Sequence, residues 1–203
     1  MRYLKTFVSA ILAGVCIGLG GMAFLCCDSK VVGAFLFCLG LCTICTFGLY
    51  LYTGKIGYLF HVKQYADLPI GWIGNLLGAA ASGKLFLIAR PDLAEKCQSV
   101  CANKLAETMP QALVLSTLCG VLVYIAVELY KRLKDRDFIR YTGILLCIPA
   151  FILCGFEHSI ADMFYLTCGG SLLTGLGFLL VVTIGNSLGA LAFDSLLTVM
   201  SHD

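Results

Sequence analysis

Long apolar stretches alternate with short polar ones along the whole chain. A helix needs about 20 apolar residues to cross a ~30 Å hydrocarbon core, and runs of that order lie at 6–27, 31–53, 68–89, 111–130, 139–156 and 170–199. This pattern predicts an all-α membrane protein with six transmembrane helices. The last run is long enough to tilt or to pass beyond the bilayer. The first has Arg2 and Lys5 near its start, as a secretory leader would. Its apolar stretch is too long for a leader and no A-x-A site follows, so it reads as a mature helix. The longest polar connection, Arg90 to Met109, holds Asp92, Glu95, Lys96, Lys104 and Glu107. Residues 1–203 are expected to form a single transmembrane domain.

Composition sharpens the picture. The chain is 60% hydrophobic and 13% charged, against roughly 25% charged in soluble domains. A soluble globule of this make-up would expose large apolar areas, whereas lipid accepts them. A net charge of +2 argues against a nucleic-acid partner. Most of the 12 cysteines sit inside apolar runs, where Cys behaves as a small hydrophobe. Cys97 and Cys101, at helical spacing in the polar connection, read the same way. No zinc-type spacing, H-E-x-x-H, G-x-S-x-G or P-loop appears, so neither a metal, a cofactor nor an enzymatic activity is expected.

Lysine and arginine set the orientation. With a cytoplasmic N-terminus, eight fall inside (Arg2, Lys5, Lys63, Lys131, Arg132, Lys134, Arg136, Arg140) and five outside (Lys30, Lys84, Arg90, Lys96, Lys104). Cytoplasmic loops carry the excess of positive charge, so both termini are expected in the cytoplasm of an inner or plasma membrane.

An internal echo adds a plan. Gly74-Asn75-Leu76-Leu77-Gly78-Ala79 lies in the third run and Gly185-Asn186-Ser187-Leu188-Gly189-Ala190 in the sixth. A unit of three segments inverts when duplicated, which predicts a three-plus-three inverted repeat with halves at about 1–90 and 104–200. The glycines at four-residue spacing let helices approach closely. Thr53-Gly54-Lys55 interrupts the second run, and Gly155-Phe156-Glu157-His158-Ser159 the fifth. Interrupted segments in corresponding positions of two halves point to a midplane site. His158 is the strongest candidate, since an imidazole titrates near neutral pH and could give a proton to a passing weak-acid anion. Lys55 reads equally as a side chain reaching to the interface or as one facing a pore. His61 and His202 stand at segment ends.

These stretches resemble the formate–nitrite transporter family over essentially the whole chain. The strongest is Cys154-Gly-Phe-Glu-His-Ser-Ile-Ala-Asp-Met-Phe164. It is supported by Ile11-Leu-Ala-Gly-Val-Cys-Ile-Gly-Leu-Gly-Gly21, Gly33-Ala-Phe-Leu-Phe37, Leu51-Tyr-Thr-Gly54 and both Gly-Asn segments. The resemblance implies an aquaporin-like fold with helices two and five broken, one pore per protomer, and a homopentamer. It implies Thr53, His158 and Asn186 at the pore centre, and Lys104 attracting the anion from outside. It implies apolar constrictions at Phe37 and Phe151 toward the outside, and at Leu41, Tyr52 and Val123 toward the cytoplasm. Departures from the family pattern are Tyr52 for Phe, Gly120 for Asn, Asp162 for Asn, and Lys55 after the Thr-Gly. With Glu157, the last three could modulate selectivity.

A bare anion is heavily penalised in an apolar constriction, and a proton removes most of that cost. The expected activity is therefore a channel for small monovalent weak-acid anions, formate first, with nitrite or hydrosulfide as alternatives. A water or neutral-solute channel is a more distant reading, because paired Asn-Pro-Ala motifs are missing.

Overall fold

The computed structural model describes residues 1–61 and 65–200. Lys63 of the charge count and His202 lie outside them. Among the described residues the chain is helical, with no strand. Eight α-helices follow one another: α1 Arg2–Cys26, α2 Lys30–Phe47, α3 Asp67–Ala89, α4 Ala94–Leu105, α5 Met109–Arg132, α6 Thr142–Leu153, α7 Ser159–Cys168 and α8 Leu176–Met200.

Five of these, α1, α2, α3, α5 and α8, are long and apolar enough to cross a membrane. Their exposed residues are largely leucine, isoleucine, valine and phenylalanine, as lipid-facing surfaces require. The apolar run expected at 139–156 forms the shorter α6, with Pro149 inside it, after a 3-10 turn at Phe138–Tyr141. The run expected at 31–53 is helical only to Phe47, and the polar connection contains α4.

Two tight helix seams organise the molecule, α1 against α3 and α5 against α8. Both depend on glycine. A Cβ on Gly14 of α1 would collide with the Asn75 carbonyl oxygen of α3, and one on Gly78 with the Ile11 carbonyl. In the second seam a Cβ on Gly120 of α5 would collide with the Asn186 carbonyl, and one on Gly189 with that of Thr117. Gly120 thus lets α5 and α8 touch backbone to backbone.

Helix α7 threads between the seams. It packs against α3, α1, α4 and α8, and all ten of its residues are buried. Phe164 is fully enclosed, with its ring against Phe86 and against the edge of Tyr165. Around this centre lies one continuous apolar core that includes Phe37, Leu41, Leu51, Val123 and Phe151.

Local chemistry fixes the helix starts. Thr108 and Gln111 form a reciprocal capping box at α5, satisfying two otherwise orphaned amides. Ser29 caps α2 and the His158 ring caps α7. At the α1/α3 end of the molecule, Arg2 and Asp67 form an ion pair at 2.9 Å.

Candidate functional site

Two glycines end helices on either side of the centre. Gly48 (φ 64°) follows α2, with the Leu49 amide donating back to the Ile44 carbonyl. Gly155 (φ 71°) follows α6, with the Phe156 amide donating back to the Phe151 carbonyl. Each glycine takes a left-handed conformation that a side chain would strain. The helix end therefore falls at Gly48, five residues ahead of the Thr53 interruption read from the sequence.

An asparagine holds each non-helical segment. Asn75 Nδ2 donates to the carbonyls of Ala10 (2.8 Å) and Tyr50 (2.9 Å), while its Oδ1 accepts from the Tyr52 amide (2.8 Å). Asn186 Nδ2 donates to the carbonyls of Ser116 (2.9 Å) and Glu157 (2.8 Å), and its Oδ1 accepts from the Ser159 amide (2.8 Å). Both asparagines are buried, and each joins a neighbouring helix to two points of the segment it holds.

The two segments meet at Thr53 and His158. Thr53 Oγ1 and His158 Nε2 lie 2.9 Å apart, and both residues are buried. The Ala161 amide donates to His158 Nδ1 at 3.2 Å. Because Nδ1 accepts, the hydrogen of the neutral ring belongs on Nε2, which donates to the threonine hydroxyl. The imidazole also stacks on Phe151, with ring centroids 5.8 Å apart, and Phe151 meets Phe37 edge-on at 6.2 Å. The two phenylalanines expected at a constriction therefore touch each other beside the histidine.

A cavity of about 340 Å³ opens next to them, lined by Phe37, Phe151, His158, Lys104, Glu107, Glu157 and Asp162, among others. Lys104 Nζ reaches Glu157 Oε2 at 2.6 Å and Asp162 Oδ1 at 2.9 Å, and lies 5.4 Å from the centre of the Tyr165 ring. Burial opposes the charge on Lys104. Asp162 and Glu157 outweigh it and hold the ammonium above the ordinary lysine range. Burial, then the neighbouring Glu157, pushes the Glu107 carboxyl up to about 7. Glu107 stood in the sequence only as one charge of a polar connection. Its place directly before the capping-box threonine is what turns it toward Lys104 and Glu157.

A second cavity, of about 140 Å³, is lined by Leu41, Leu51, Gly54, Lys55, Val127, Tyr130 and Lys131. Gly54 follows Thr53 directly in the chain, and His158 itself lines the larger cavity. Val123 is buried in the apolar core nearby. Tyr52 turns elsewhere: its hydroxyl is 2.9 Å from Ser187 Oγ, and its ring lines a groove with Trp72 and Leu180. Leu51 takes the place beside Leu41. Lys55 and Lys131 also line a wider cavity of about 520 Å³ with Arg2, Lys5 and His61. Gly120 sits in the α5–α8 seam, as described. Among the described residues, no group of His, Cys, Asp and Glu is arranged to hold a metal ion.

Comparison with known proteins bears on the family and the fold. A family model described as formate/nitrite transporter matches residues 1–200. The chain is 32% identical over 219 aligned positions to a nitrite transporter, NirC, of Escherichia coli K12, covering 94% of this chain and 81% of that one. It is 28% identical over 197 positions to a formate channel, FocA, of the same strain, covering 82% and 66% of the two chains. Among solved structures, an FNT family ion channel superposes with a TM-score of 0.88 at 26% identity, over 98% of this chain and 90% of that one. A pentameric formate channel with formate bound superposes with a TM-score of 0.83 at 22% identity, over 99% and 98%, which speaks for the fold.

Proposed function

We propose that this chain, which belongs to the formate/nitrite transporter family, is a multi-pass membrane channel for small monovalent weak-acid anions. Formate is the first candidate, with nitrite and hydrosulfide as alternatives. The observation that carries the reading is the buried Thr53–His158 contact, 2.9 Å long, with His158 lining one cavity and Gly54, next to Thr53 in the chain, lining another. The imidazole N–H donates to the threonine hydroxyl, which leaves the hydroxyl proton free to donate to a small anion where it is most dehydrated.

Lys104 supplies the attraction from the outer cavity. The Phe37–Phe151 pair forms the outer constriction. Leu41 and Val123 line the inner one, where Leu51 takes the position expected of Tyr52. Lys55, lining the inner cavities, faces the path rather than lipid. Asn186 sets the position of His158 rather than touching the anion. A proton taken up by the anion lowers the cost of passage, because a neutral acid carries no Born penalty.

The plan of the molecule is read as a three-plus-three inverted repeat. Its second helix is α2 continued by the 3-10 segment Ile56–His61, and its fifth is α6 continued by α7. The corresponding bonds of Asn75 and Asn186, and the corresponding glycine seams, support it. Both termini are placed in the cytoplasm by the lysine and arginine counts. A homopentamer follows from the family, with each protomer carrying its own pore.

The test is flux of formate, nitrite and hydrosulfide into liposomes, run in parallel on one preparation. Flux of at least one, lost in a Thr53→Val/His158→Phe double variant that still assembles, is expected. Water permeation without anion flux would overturn the reading. Light-scattering mass in detergent is expected to give five protomers.

A further inference from the structure

The reading above leaves the source of the proton open, and His158 is a poor one. Its Nδ1 already accepts the Ala161 amide, and that bond caps α7. Protonating Nδ1 would set two N–H groups against each other. Releasing the Nε2 proton from the neutral ring would leave an imidazolate, far outside the range of protein chemistry. The ring is therefore built to donate a hydrogen bond, not to exchange a proton.

The outer cavity holds three carboxyl groups. Glu157 and Asp162 pair with the ammonium of Lys104, and Glu107 lines the same cavity. Asp162 is fully buried, and neither of its oxygens has hydrogen-bond geometry to a partner, although Oδ1 is within ion-pair distance of Lys104. Glu107 Oε2 is likewise enclosed without a partner. Lys30, which also lines the cavity, is turned to the Leu153 carbonyl, so three carboxylates share one close ammonium, and an excess of negative charge is costly where the carboxylates are buried. It is also the wrong sign for a vestibule that admits anions. Carboxyls that share a site share protons.

Resting on the channel reading, we infer that Glu107, Glu157 and Asp162 form a proton-loading site in the outer vestibule. A carboxyl of this cluster gives its proton to the incoming anion before the Phe37–Phe151 constriction. In the step, a carboxyl O–H bond breaks and an O–H or S–H bond forms on the anion. The cluster gains one negative charge and the anion becomes the neutral acid. Water at the half-exposed Glu107 returns the proton. The neutral acid then passes the rings and meets the Thr53 hydroxyl at its contact with His158.

The groups facing Asp162 come from four directions. They are Lys104 on α4, Glu107 ahead of α5, Cys119 on α5, and Glu157, His158 and Tyr165 on the segment leading into α7 and on α7 itself. Lys30 also lines the cavity, with its Nζ 3.4 Å from the Leu153 carbonyl.

The experiment is exchange of labelled formate in liposomes with equal pH on both sides, so that no gradient drives it. Wild type is expected to show a midpoint between about pH 5 and 8, set by the cluster. Asp162→Asn keeps the shape and removes one like charge, which should move the midpoint about one to two pH units toward acid. Glu107→Gln should shift it the same way. Difference infrared spectra of the intact wild-type protein at neutral pH should contain a protonated-carboxyl band that weakens in either variant. A rate that simply tracks the bulk concentration of neutral acid in all three proteins overturns the inference and leaves the channel reading standing. A wild-type spectrum without the band overturns it too, even if neither variant assembles. No formate, nitrite or hydrosulfide flux from wild type at any pH overturns the channel reading instead.

Discussion

Replacing Asn186 with alanine removes three buried hydrogen bonds at once: to the carbonyls of Ser116 and Glu157 and from the amide of Ser159. The groups left behind belong to the backbone and cannot turn away. A net bond is worth about 1 kcal/mol in soluble proteins and about 0.6 kcal/mol in membrane helices, so three give about 2–3 kcal/mol. The carbonyl of Ser116 lies inside α5 and keeps its helical donor. The Glu157 carbonyl and the Ser159 amide keep no comparable partner, which places the loss at the upper end. Asn186→Leu separates bonding from volume, because it fills the space without bonding and should lose as much as Asn186→Ala. Asn75→Ala should lose a similar amount, since it also makes three bonds. The assay is the temperature at which each variant leaves the folded oligomer peak in detergent. Melting of Asn186→Leu at the parent temperature would refute the reasoning, because packing rather than hydrogen bonding would then hold the segment. Loss in Asn186→Ala without loss in Asn75→Ala would refute the correspondence between the two asparagines.

Lys104→Ala should slow anion uptake more at low than at high salt, because an attraction across an open vestibule is screened over ~8–10 Å. Equal loss at both ionic strengths would make Lys104 a structural residue. Gly120→Ala should abolish the folded oligomer or cut its yield severely, since the new Cβ meets the Asn186 backbone rather than a movable side chain; normal yield and melting would contradict it. For Glu107 the folded carboxyl, at about 7, stands above its ordinary 4.5. The folded state therefore binds the proton more tightly, and this stabilising contribution, present at low pH, is lost as pH rises through about 7. Thermal melting should fall across that window, and Glu107→Gln should flatten the fall; identical slopes would refute it. Tyr52→Phe should leave flux nearly unchanged while losing about 0.5–1.5 kcal/mol from its bond to Ser187, and a large fall in flux with no change in melting would return Tyr52 to the pore.

The apolar runs were legible because lipid imposes a simple rule on length and composition. Five of them became helices of membrane-spanning length. The ends were harder to place. Tyr50, Leu51 and Tyr52 are as apolar as the helix before them, so hydropathy carried the second run to residue 53. The local signal was Gly48, one glycine among 22. His158 and Glu157 stood out because ionisable groups are costly in an apolar run. Asn186 came forward through its echo with Asn75, yet its bonding to the backbone on both sides of His158 needed three-dimensional placement. The direction of the Tyr52 ring was illegible for the same reason. Leu51 and Tyr52 are both apolar neighbours, and only the turn after Gly48 decides which one faces the inner cavity. Glu107 was hidden by its surroundings, because a carboxylate in a polar connection carries no mark of where the turn between α4 and α5 will bring it.

The contact at the centre is a single hydrogen bond between two segments that are each fastened elsewhere. Thr53 takes its position from Asn75 and thus from the α1–α3 seam, and His158 takes its own from Asn186 and the α5–α8 seam. The gap between them is the small difference of two long dimensional chains, as in a machined assembly where tolerances add. A change of a few tenths of an ångström anywhere along either seam reappears undiminished at the narrowest point. On the proposed channel reading, aperture is thereby set by residues that no anion touches. Such a molecule is retuned for a larger or smaller solute by resizing a distant helix contact, with every group that meets the solute left in place.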